Sequence, residues 1–114
     1  MINYKGKEIL YLDFSGCNKD EIFQIIKLAE KIIRVQPKKS LLTLTNVFGA
    51  RYDKEIIREL KEFANNNKPF VKAGAVVGIE GLKKVAYDAV IKFTGRNLPA
   101  FDDTKKAKDW LAKQ

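Results

Sequence analysis

Val71-Lys72-Ala73-Gly74-Ala75-Val76-Val77-Gly78-Ile79-Glu80-Gly81-Leu82-Lys83-Lys84-Val85-Ala86-Tyr87-Asp88-Ala89-Val90-Ile91-Lys92-Phe93 decides the fold of this chain. The first seven residues are a run built largely from small side chains, Ala73, Gly74, Ala75, Val76 and Val77, and read as a strand. Gly78–Gly81 makes a turn. Apolar residues then recur at Leu82, Val85, Ala86, Ala89, Val90 and Phe93, the cleanest helical stripe in the chain. A helix is predicted over Gly81–Phe93, and Gly95 suits the position just beyond its end.

The same strand–helix couplet recurs on either side. Glu8–Phe14 runs into a predicted helix over Lys19–Val35, Leu41–Val47 into Lys54–Asn65, and Leu98–Phe101 into Thr104–Lys113. Met1–Tyr4 joins the first long strand through Lys5-Gly6-Lys7, which reads as a hairpin. Short connections and right-handed crossovers then give an α/β fold. The expectation is a single domain over residues 1–114: a mostly parallel sheet, an N-terminal hairpin and four helices.

Local chemistry supports these boundaries. Asn18 with Glu21 three residues on makes a capping-box pattern before the first helix. Ile22, Ile25, Ile26, Ala29, Ile32 and Ile33 form its buried stripe, and Pro37 stops it. Asp53 caps the second helix, whose inner face is Ile56, Ile57, Leu60, Phe63 and Ala64. Asp102 or Asp103 caps the last. In the second strand Leu10, Leu12 and Phe14 share one face, and Ile9 and Tyr11 the other. Pro99 cannot donate to a ladder, which places the last strand at a sheet edge. The small residues of Val71–Val77 let a helix or a ligand come close.

Composition narrows the class. A chain of 114 residues with 46% apolar content can bury one core. No apolar run nears the roughly 18 residues that span a bilayer, no secretory signal is visible, and the single Cys17 forms no internal disulfide. These features predict a cytoplasmic protein. Net charge is +8, but the lysines are interleaved with acids through every segment and cluster only in pairs. That pattern describes a solvated surface and argues against a nucleic-acid partner. With no histidine, Ser-His-Asp and Cys-His catalysis are excluded, as are the common zinc sites. The sequence calls for no cofactor. Cys17 precedes a helix but lacks a base, so it reads as a small packing residue.

Ligands of open α/β sheets bind beyond the carboxyl ends of the strands. Four loops should meet there: 15–18, 45–53, 78–81 and 102–103. The second is the longest. It places Phe48, Arg51 and Tyr52 where a simple turn needs no bulky groups, with Asp53 at its end. Such a loop fits contact with a partner. Gly78 and Gly81, with Lys83 and Lys84 nearby, form a candidate anion site at a helix start, although neither the dinucleotide fingerprint nor the P-loop ending is present.

The architecture resembles the SpoIIAA-like group, small relatives of the STAS (anti-sigma-factor antagonist) domain that are fold-related to the CRAL-TRIO lipid-binding domains. Gly74-Ala75-Val76-Val77-Gly78 followed by a helix is similar to that group's fourth strand. Phe101-Asp102-Asp103 followed by Ala107 and Trp110-Leu111 is similar to its closing strand and tail helix. The resemblance implies a non-enzymatic regulatory or interaction module that contacts a protein partner through residues 45–58. STAS domains carry a phosphorylatable serine at the start of the second helix. This chain has none there, and Thr45 and Tyr52 are the nearest hydroxyls for a phosphorylation site. The CRAL-TRIO relation and the small-residue strand imply an alternative, a carrier of a small apolar or lipid-like ligand. A third expectation is an enzyme acting on a phosphorylated small molecule at Gly78–Lys84. The edge strand Met1–Tyr4 is free to pair with a second copy as a homodimer.

Overall fold

The computed structural model describes residues 1–114. β1 (Ile2–Tyr4) turns at Lys5-Gly6 and pairs antiparallel with β2 (Lys7–Asp13). α1 (Lys19–Ile33), β3 (Leu41–Asn46), α2 (Lys54–Asn67), β4 (Val71–Val77), α3 (Lys83–Thr94), β5 (Ala100–Phe101) and α4 (Thr104–Ala112) follow in turn. The sheet order is β1-β2-β3-β4-β5, and every pair after the hairpin is parallel. The predicted α/β architecture with its hairpin and four helices is the one observed.

Each crossover advances one strand in the same direction. A right-handed hand therefore sends α1, α2 and α3 to one face of the sheet. α4 comes after the last strand and packs on the opposite face, against β3, β4 and β5. Two cores result. Leu10 and Leu12 of β2 and Phe14 just beyond it meet Ile22, Ile26, Ala29 and Ile33 of α1 and Ile56 and Phe63 of α2. Ile9, Leu42, Leu44, Ala75 and Val77 meet Ala107 and Leu111 of α4, with Trp110 tilted against Phe101 at 5.8 Å between ring centroids.

The helix starts are built as the sequence requires. Asn18 accepts from the Glu21 amide while the Glu21 carboxylate accepts from the Asn18 amide, a complete capping box. Asp53 and Asp103 accept from the Ile56 and Lys106 amides. α3 differs. Leu82 occupies its cap position and offers no side-chain acceptor.

The largest departure from the sequence pattern is α3 itself. Its apolar stripe was expected to be core, yet Leu82, Val85 and Phe93 are 73%, 69% and 55% exposed, and Thr94 is its only buried residue. The cause is the sheet. β5 has two residues, so little sheet extends beyond β4 for the helix to cover. α3 leans on α2 and turns Ala86, Tyr87 and Val90 inward. In α1, Ile32 also points outward at 42% exposure, because the row Ile22–Ile26–Ala29–Ile33 already fills the sheet contact.

Candidate ligand-binding site

The sheet floor falls away beneath α3. On the face that carries α1–α3, neighbouring strands align Leu10 with Thr43 and then Gly74, and Leu12 with Thr45 and then Val76. Side-chain size shrinks along the first row toward β4 and falls from leucine to the smaller threonine and valine in the second. Above this floor α3 presents Lys83, Ala86, Tyr87 and Val90. The two layers do not meet, and an apolar cavity of about 130 Å³ lies between them. Ile57, Leu60, Phe63 and Ala64 of α2 form one wall, and Ile79 and Leu98 close the ends of the α3 side. Of the 23 lining residues, 17 are hydrophobic, so the interior offers few partners to water.

The mouth lies at the carboxyl ends of the strands, and its loops hold one another. The Gly16 amide donates to the Phe48 carbonyl at 2.8 Å, and the Arg51 amide to the Cys17 carbonyl at 3.1 Å. Asn46, buried at the end of β3, accepts from the Phe48 amide and donates to the Tyr11 hydroxyl. Gly78 has φ +95°, and a Cβ there would sit 2.5 Å from the Phe48 nitrogen. Only glycine lets the β4 exit pass this close to the β3 exit loop.

The base lies at the other end. Arg96 follows α3 and sends its guanidinium inward between α2 and β4. Nη1 donates to the Ala64 carbonyl at 3.0 Å. An ideal Cβ on Gly74 would stand 2.8 Å from Leu98 Cδ2, 2.8 Å from Thr43 Oγ1 and 3.4 Å from Arg96 Nη2, so the hydroxyl and the guanidinium converge above Gly74 with the Leu98 side chain packed between them and the strand. Burial pulls the Arg96 pKa below the usual arginine value. No acid neutralises it. The ion pairs of the chain join Lys5 and Lys105 to Asp109, Lys19 to Asp53 and Glu55, Arg34 to Glu30, and Lys106 to Asp102. The Tyr87 hydroxyl donates to the Leu98 carbonyl and ties α3 to the connection that carries Arg96.

The residues singled out in the sequence do not gather in one place. Arg51 and Tyr52 are exposed at the cavity mouth, and Thr45 lies half-buried on its floor. Phe48 packs toward the α4-side core. Asp53 caps α2 and pairs with Lys19 at 2.8 Å, and Lys19 holds the Asp53 carboxyl below its usual range. Lys83 donates to the Val47 carbonyl at 2.7 Å, while Lys84 and Gly81 are exposed. The first amides of α3 are engaged locally: those of Lys83, Lys84 and Val85 donate to Glu80, Gly81 and Leu82. Cys17 is half-buried, and burial raises its thiol pKa. Arg96 and Tyr87 escaped sequence reasoning. One signal was available for Arg96: it is a lone arginine in the acid-free stretch Ala89–Phe101.

The chain matches no protein-family model, no curated protein and no solved structure.

Proposed function

We propose that this protein binds a small, largely apolar ligand in the cavity between α2, α3 and the sheet. One observation carries the proposal: the sheet rows and the inner face of α3 do not meet, which leaves about 130 Å³ of largely apolar space. Apolar cavities of about 150 Å³ take up benzene-sized molecules, and this one is open at a mouth where Arg51 and Tyr52 are exposed, which gives a ligand a way in. α3, which is uncapped by a side chain and buries only Thr94, is the wall best suited to give way. This reading agrees with the lipid-like alternative that the resemblance to SpoIIAA-like and CRAL-TRIO proteins implies.

Native mass spectrometry of protein purified under mild conditions tests it. A co-purifying small-molecule adduct, or uptake of an added hydrophobic probe by stripped protein, is expected. A clean apo mass with no uptake of any hydrophobic probe rejects the proposal.

A second reading, contact with a protein partner through residues 45–58, is favoured by Arg51 and Tyr52. Both project from the mouth, and Arg51 belongs to none of the ion pairs. Arg51→Glu combined with Tyr52→Ala should abolish capture of a partner, and an unchanged catch rejects it.

A further inference from the structure

The ligand-binding proposal leaves the polar end of the cavity unexplained. Arg96 spends one N–H on Ala64, and a guanidinium has five. Nη2 lies beside Gly74, Leu98 and the Thr43 hydroxyl, on the cavity side, and no carboxylate pairs with the guanidinium. The far side of the guanidinium does not supply the missing charge either. The groove there is lined by Lys39, Lys68 and Lys72 and by no acidic side chain. Lys68 turns its ammonium to the Thr94 carbonyl at 3.0 Å. A half-buried cation that has no ion pair and has lysines around it favours an anion beside it.

We infer that the ligand is an amphipathic acid: its carboxylate seats on Arg96 and the Thr43 hydroxyl as the flexible end of the Leu98 side chain turns aside, and its apolar body runs between α2 and α3 toward Tyr52. This rests on the cavity being a ligand site. The planar fork of arginine matches a carboxylate with two parallel hydrogen bonds. At the base of the cavity Arg96 is the one cation, with Arg51 and Lys83 lining it elsewhere, and one positive charge calls for one negative charge, which favours a carboxylic acid over a phosphate monoester. Length is set by the wall. From Ile57 to Asn67 α2 rises ~15 Å, so a single short chain or one ring with a short tether fits and a two-chain lipid does not.

The test is calorimetric titration of the full chain with two probes that share one apolar body, 4-phenylbutanoate and 4-phenylbutanol, at neutral pH. Wild-type protein should bind both, the acid at least about tenfold more tightly. Arg96→Gln should bring the acid down to the affinity of the alcohol and leave the alcohol unchanged. Arg96→Lys keeps the charge without the fork and should retain an intermediate preference. Circular dichroism and thermal melts establish that each variant is folded before titration. Equal affinity of acid and alcohol for the wild type overturns the acid inference while the cavity proposal stands. Binding of neither probe overturns both. Tighter binding of phenylethyl phosphate than of the acid overturns the carboxylate assignment in favour of a phosphate head.

Discussion

Arg96 Nη1 donates to the Ala64 carbonyl at 3.0 Å across thirty-two positions of sequence. Ala64 lies in the last turn of α2, where carbonyls lack intrahelical donors, and α2 has no basic residue of its own there. Arg96 therefore supplies the positive charge that a helix C-terminus favours. The same side chain closes the base of the cavity, so fold and site share one residue.

This double role makes a stability prediction. Arg96→Met removes a charge-assisted hydrogen bond worth ~1.5–3 kcal/mol and at the same time relieves a desolvated, unpaired cation. The two effects oppose, and the net loss in urea unfolding should stay within about 1 kcal/mol. A loss above about 3 kcal/mol would mean that Arg96 is retained for the fold alone.

Gly78 and Gly81 differ sharply in what surrounds them. Gly78→Ala places a methyl 2.5 Å from the Phe48 nitrogen on a backbone with φ +95°. Backbone cannot move aside as a side-chain tip can, so a loss of at least about 3 kcal/mol is expected. Gly81→Ala has φ +54° and nothing within 4 Å, and should cost only ~1–2 kcal/mol. Paired denaturation curves check both.

The exposed stripe of α3 predicts tolerance where a helical pattern suggests core. Val85→Lys should change stability by less than about 0.5 kcal/mol, because Val85 is 69% exposed. A loss of about 2 kcal/mol or more would show α3 rotated from the orientation described.

Asp109 accepts from the Tyr4 hydroxyl and pairs with Lys105 and Lys5, joining α4 to the hairpin. The Tyr4 hydrogen bond, then Lys105 and Lys5, hold its carboxyl well below the usual aspartate range. A depressed folded-state pKa stabilises above the unfolded value of ~3.9, and that contribution fades as pH falls through the lower folded value. Asp109→Asn should thus reduce stability at neutral pH, and the gap from wild type should narrow in strong acid. A gap independent of pH would assign the effect to packing.

Much of the fold was legible because local signals agreed with one another. Asn18 and Glu21 start α1, Asp53 starts α2, Pro99 marks the edge strand, and the alternation of Ile9, Leu10, Tyr11 and Leu12 divides two faces that both prove to be covered. The convergence of the loops around Gly16, Phe48 and Gly78 also followed from parallel strands with short connections. The cavity was not legible. A periodic stripe reports which side of a helix is apolar, not whether enough sheet lies beneath it, and α3 overhangs a two-residue strand. Nor does sequence reveal that Thr43, Gly74 and Arg96, separated along the chain, meet at one point. Register and a side-chain trajectory across the layer decide that.

Methyl-labelled protein titrated with 4-phenylbutanol and followed by two-dimensional NMR tests the cavity most directly. Saturable shifts are expected at Ile57, Leu60, Val76, Val90 and Leu98, which line the space, while Ala107 and Leu111 beneath α4 stay in place. Shifts confined to the exposed Leu28, Val35 and Leu82, or no saturable shift at any concentration the probe allows, would contradict a ligand site between α2, α3 and the sheet.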